Sequence, residues 1–202
     1  MTDSTELFYP NRFARLLIQA MFSELGTYST EALLESAGLT PELPANDLER
    51  GYPFKHLAAI NRALFAMYGD QGARGLAQVV GRAWFSPEME SLGAFAAFAA
   101  PTFKQLPGQT RAGIGLKVLA EIFSRLSDQT GHIEAGEHGQ QRWIVERSPF
   151  IFENVEAPVC YLLAGLAQAC LSAATDGDTF YITETECRAS GAPHCIFAIA
   201  HR

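Results

Sequence analysis

Glu184-Thr-Glu-Cys187-Arg-Ala-Ser-Gly-Ala-Pro-His-Cys195 is the stretch of the chain richest in groups that can do chemistry. Two thiols stand eight residues apart across a Ser-Gly-Ala-Pro turn, and a carboxylate precedes the first by three residues. A third thiol, Cys160, opens the apolar run Val159–Ala174 ahead of them. Three thiolates and a carboxylate complete the four-ligand tetrahedral shell of zinc, and thiolate softness favours zinc or iron over magnesium or calcium. Neither pair is a C-x-x-C, so spacing alone leaves a metal site, free buried thiols and a disulfide all open. A catalytic thiol needs a neighbouring base. His194 adjoins Cys195, but neighbours on a strand point to opposite faces. Cys170, within the apolar run, reads as a small core residue.

The elements that must position these groups follow from periodicity. Cys187 ends one expected strand (DGDTFYITETEC) and Cys195 begins the next (HCIFAIAH), so the turn between them brings the thiols together. On a flat strand Glu184 and Cys187 face opposite ways, because their separation is odd. The strand must twist or bulge for both to reach one ion. HIEAGEH and QQRWIVER read as an earlier hairpin joined around Gly139, and residues 159–174 as a helix.

Upstream the pattern is helical. Phe13, Leu16, Leu17 and Ala20 mark one buried face of a helix over 11–26. A second helix is expected at Ser29–Ser36, N-capped by Ser29 or Thr30 and followed by Gly38. Residues 40–53, with three prolines, read as a loop. Helical spacing resumes at 55–68 and runs to about 100 with breaks near Gly69–Gly72 and Gly81. A further helix covers 110–128 and contains the Gly113-Ile-Gly115 pair, where close helix packing or a ligand against the backbone would offset the low helix propensity of glycine. Helices, hairpin, helix, hairpin imply an α+β fold: a helical layer on a twisted antiparallel four-stranded sheet. A length of 202 residues suits one domain, 1–202, with a mainly helical part (1–130) and a hairpin-helix-hairpin part (131–202) bearing the metal clip.

Composition narrows the function. The formal charge of −7 and the lack of a Lys/Arg run exclude nucleic acid as the expected partner. The N-terminus has no basic-then-apolar leader, and no apolar stretch approaches the ~20 residues of a membrane span. A soluble, cytoplasmic protein is expected. GDQGARG (69–75) and GIG (113–115) do not follow a strand and open a helix, as dinucleotide binding requires. Trp84, Phe85, Phe95, Phe98, Phe103 and Trp143 supply an aromatic surface that could receive a flat apolar ligand. Phe95 and Phe98 stand one turn apart in an alanine-rich segment, which leaves room beside the rings. Haem ligation is a competing idea, with His56, His132 and His138 as candidates.

The tail resembles the 4-vinyl-reductase-type small-ligand-binding domain. Cys160, Tyr161 and Gly165 are similar to its C-Y-x-x-x-G, and Glu184, Cys187, Ala189, Gly191, Pro193, Cys195 and Phe197 to its E-x-x-C-x-A-x-G-x-P-x-C-x-F. Phe8-Tyr-Pro-Asn-Arg-Phe13 is similar to that family's opening. A stand-alone, BchJ-like member is implied. The resemblance implies the fold of nitric-oxide-sensing haem domains and Golgi-transport subunits, with a hydrophobic pocket between the layers. It implies a structural zinc on Cys160, Glu184, Cys187 and Cys195. It implies binding of a hydrophobic small molecule, with a bacteriochlorophyll-pathway tetrapyrrole intermediate the foremost candidate and a pathway enzyme as recipient. The alternatives are an 8-vinyl (4-vinyl) reductase acting on divinyl protochlorophyllide, and a ligand sensor acting through a partner protein. Enzymatic activity is not expected from the motifs present. Pairing of relatives in this fold implies a homodimer through the N-terminal helix.

Overall fold

The computed structural model describes residues 6–136 and 140–201. Strand β1 (Phe8–Pro10) leads directly into helix α1 (Asn11–Leu25), and α2 (Thr27–Ser36) follows after Gly26 alone. Gly26, at φ +79°, reverses the chain in one residue, a conformation open to glycine at little cost. The expected N-cap at Ser29 or Thr30 is therefore displaced. Gly26 precedes the first helical residue, and Thr30 is buried inside the helix with its amide on the Gly26 carbonyl. Gly38, at φ +74°, follows α2 in the left-handed conformation expected of a C′ residue.

The segment read as a loop ends in a strand, β2 (Arg50–Pro53), antiparallel to β1 with Tyr9 opposite Tyr52. Pro10 and Pro53, which argued against strand, sit at strand ends where a missing N–H removes no ladder bond. Helix α3 (Phe54–Trp84) is kinked at Gly69, at φ 66° and ψ 172°, as the sequence suggested. It is not broken at Gly81. Beyond Trp84 the expected helix to residue 100 becomes short pieces: α4 (Pro87–Glu90), a 3₁₀ segment (Gly93–Ala99) and α5 (Pro101–Lys104). Pro87 and Pro101 each start a new turn, because proline cannot continue the preceding one. Helix α6 (Gly108–Leu126) completes the first helical part.

The sheet is made of two hairpins flanking helix α7 (Tyr161–Ala174). Strands β3 (Gly131–Ala135) and β4 (Gln141–Val145) form the first, whose tip around Gly139 lies outside the described residues. Strands β5 (Phe180–Glu186) and β6 (Cys195–His201) form the second. The order is β3-β4-β6-β5 with every pair antiparallel. The inner face carries Trp143, Phe197, Ile199, Phe180 and Ile182 at alternate positions, all buried. Helix α7 packs on α3, α6 and β5.

Two glycines allow that packing. A Cβ on Gly81 would stand 2.2 Å from the Leu162 carbonyl oxygen, and one on Gly165 would stand 2.3 Å from that of Gln78. The α3 and α7 backbones therefore touch. A Cβ on Gly115 would meet that of Ala174 at 2.8 Å, so this glycine of the GIG pair serves helix packing. Beneath β1, the rings of Tyr9, Phe13, Trp84, Phe123 and Phe150 form one fully buried aromatic cluster. The Trp84 indole N–H donates to the Phe13 carbonyl at 2.9 Å, which satisfies a buried donor.

Candidate metal centre

Each of the four tail residues reaches the same point by a different local device. Cys160 is the residue before α7, and its backbone N–H donates to Glu184 Oε2 at 2.7 Å. Glu184 belongs to the inward row Phe180, Ile182, Glu184 of β5 and is 5% exposed. The β5–β6 register then slips: Glu184 faces Phe197 and Glu186 faces Ile196, leaving Thr185 as the extra residue of a bulge. The bulge resets the alternation, so Cys187 turns to the Glu184 side. Gly191, at φ 98°, closes the turn through Arg188–Ser190 and returns the chain to Cys195.

The four donor atoms lie within 4.8 Å of one another, and all four residues are buried. Cys160 Sγ is 3.7 Å from Cys195 Sγ, which is 3.8 Å from Cys187 Sγ. A tetrahedron with zinc–sulfur bonds of about 2.3 Å has sulfur–sulfur edges of about 3.8 Å. A disulfide would need about 2.0 Å, and all four cysteines are free. Glu184 Oε1 is buried without a hydrogen-bond partner, an orphaned acceptor beside three thiols. Burial, reinforced by the Cys187 thiolate, pushes the Glu184 carboxyl up to about 8. Hydrogen bonds from the Cys160 and Cys195 thiols hold Cys187 far below the usual thiol range, while burial drives Cys160 well above it. Four acids confined in one dry site cannot all ionise unless a cation joins them. This donor set fits a thiophilic divalent metal with no open coordination position.

Sequence spacing did not point to the groups around the cluster. Ser148 Oγ lies 3.3 Å from Cys160 Sγ, and the Arg188 amide donates to Cys195 Sγ at 3.4 Å. Asn61 is wholly buried in α3 and its amide donates to the Phe150 and Val159 carbonyls, pinning the loop that delivers Cys160. An asparagine within an otherwise apolar helix face was the available signal. Cys170 is separate, with its thiol 3.7 Å from the Gly115 carbonyl.

The aromatic residues named as ligand candidates fall into three groups. Trp84 is in the cluster with Tyr9. Phe85, Phe95, Phe98 and Phe103 pack serially, with successive ring centroids 5.1, 5.9 and 5.1 Å apart. Trp143 lies on the sheet against Phe197 at 5.3 Å. A cleft of about 450 Å³ runs beside Phe95 and Phe98, between Ala96, Ala99, Lys104 and Ala173. None of the described histidines is buried, and His138 lies outside the described residues. His132 is exposed on β3 beside Glu134 and Glu146, and His56 packs against Tyr52 at the start of α3.

The fold is that of the H-NOX proteins. An H-NOX protein from S. oneidensis in the Fe(II)NO ligation state superposes with a TM-score of 0.60 at 14% identity, over 96% of this chain and 99% of that one. The Fe(II) unliganded H-NOX protein from K. algicida gives 0.59 at 12% identity, over 96% of each. Residues 142–201 match the model of the 4-vinyl-reductase-type domain, so the chain carries that domain in its tail. No curated protein matches the sequence. The described histidines offer no axial ligand to an iron held between the layers, so the haem of that fold does not fit this chain through them. No described helix is long and apolar enough to cross a membrane.

Proposed function

We propose that this chain is a binding protein for a hydrophobic small molecule, acting as one domain whose last hairpin is fastened by a structural zinc on Cys160, Glu184, Cys187 and Cys195. The observation that carries the reading is the buried thiol–carboxylate cluster with tetrahedral spacing, found inside and just ahead of the hairpin in the segment that matches the 4-vinyl-reductase-type domain. Bound there, zinc would neutralise four acids and cross-link α7, β5 and β6. A four-ligand protein site leaves no position for a substrate water, so its contribution is to folding. The ligand candidate is a (bacterio)chlorophyll-pathway tetrapyrrole intermediate, received by a pathway enzyme. Homodimer formation through α1 and a cytoplasmic location belong to the same reading.

Two measurements test it. Metal analysis of protein purified without added metal should find about one zinc per chain. Absence of zinc together with freely titratable Cys187 and Cys195 overturns the metal assignment. Anaerobic titration with divinyl protochlorophyllide, with and without NADPH, should give a saturable absorbance shift without turnover. Turnover would make the chain the reductase, and no shift would remove the tetrapyrrole.

A further inference from the structure

Helix α6 lacks bulk at one end of the face it turns to the sheet. Gly108, Ala112 and Gly113 carry nothing longer than a methyl, whereas Leu116, Leu119 and Phe123 further along are fully buried. A methyl on Gly113 would stand 3.1 Å from the Gln141 amide nitrogen, so β4 approaches where the side chain is missing. The layers consequently stay apart at the N-terminal end of α6. A cleft of about 600 Å³ opens there, at the end of the β5–β6 hairpin opposite the cysteines.

Its lining is specific. Phe180, Ile199 and Ala112 form an apolar floor, and Gln109, Gln140 and Gln141 bring three neutral amides to the wall. Asp178 closes the rim with its carboxylate 3.3 Å from His201 Nε2, and His201 stands edge-on to the Phe180 ring at 5.1 Å. No lysine or arginine lines the cleft among the described residues. A volume of this size holds a small organic molecule, and convergent polar groups on an apolar floor are the mark of such sites. Amides offer both donors and acceptors but no charge, and the carboxylate at the rim repels anions.

We propose that this cleft is the small-molecule site, and that it takes an uncharged planar ring system with hydrogen-bonding edges. Phe180 and Ile199 meet the ring face, the glutamine amides pair with its edge, and Asp178 turns carboxylates away. The inference rests on the small-molecule reading above and narrows both the place and the ligand class.

The test uses the full chain, isotope-labelled and zinc-replete, with isoquinolin-1-one as the neutral probe and 2-naphthoate as an anion of similar size. The neutral probe should saturably shift the side-chain amide signals of Gln109, Gln140 and Gln141, and 2-naphthoate should bind at least about tenfold more weakly, the effect of one like charge at close range. Ala112→Phe should abolish the neutral-probe shifts by filling the floor. Asp178→Asn, a surface change that serves if the filled variant does not fold, should raise 2-naphthoate affinity severalfold. Equal binding of the two probes, shifts that survive in folded Ala112→Phe, shifts confined to other residues, or no shift each overturn the proposal. If divinyl protochlorophyllide still binds where these outcomes are negative, the small-molecule reading stands and only its placement here fails. If neither that titration nor these probes show binding, both fail.

Discussion

Glu184 sits on the inner face of a strand between Ile182 and the sheet end, where an aliphatic side chain would be the ordinary occupant. Burying a carboxylate without a full set of partners costs free energy, and one of its oxygens has none. Its role is therefore visible only when a cation is present. Glu184→Gln keeps the shape and the acceptor for the Cys160 amide. In metal-free protein this change should leave the melting temperature unchanged or raise it. In zinc-loaded protein it should remove much of the zinc-dependent stabilisation. A loss of melting temperature in the metal-free form would contradict the assignment. Ser148 acts through Cys160, so Ser148→Ala should weaken zinc binding about 10- to 100-fold in competition with a chromogenic chelator, in line with other outer-shell contacts to metal ligands. The ligand residues were legible because thiols are rare and their turn is short. Ser148 was not, because a serine in a loop carries no spacing signal.

At the scale of elements, the β5 bulge and the α3–α7 crossing do the positioning. The odd separation of Glu184 and Cys187 demanded a bulge, and the slip at Thr185 supplies it. Gly81 misled, because a glycine in a helical run reads as a break when its neighbour on the next helix is unknown. The β1–β2 pair was illegible for a similar reason: Arg50–Pro53 is short and proline-flanked, and only Phe8–Pro10, far earlier in the chain, makes it a strand. Gly165→Ala would drive a methyl into the Gln78 carbonyl and should destabilise the fold by about 3 kcal/mol, as overpacking does. Gly75→Ala, on the open face of α3 with nothing within 4 Å, should instead stabilise by about 0.5–1 kcal/mol. Chemical denaturation of the two variants checks both signs.

Across the whole molecule, the family signature and the fold are unevenly spread. The family match covers residues 142–201, while the H-NOX likeness extends over 96% of the chain. The two-hairpin, helix-covered architecture was readable from alternation and apolar periodicity. The lining of the cleft was not, since it depends on where α6 runs short of side chains against a sheet distant in sequence. Chelation of the zinc should act locally. Amide exchange should quicken first in β5, β6 and the Cys187–Cys195 turn, while α3 and the middle of α7 stay protected, because their packing does not involve the metal. Uniform loss of protection would show instead that the metal holds the entire fold.

The backbone contact at Gly81 and Gly165 has a mechanical consequence. A rod pressed against another at one bare point can pivot there but cannot slide past. Helix α7 carries Cys160 just ahead of one end and Ala174 at the other, with that point between them. It therefore behaves as a lever with a fixed fulcrum: any displacement of Cys160 swings the opposite end, which borders the Phe95–Phe98 cleft through Ala173, in the reverse direction.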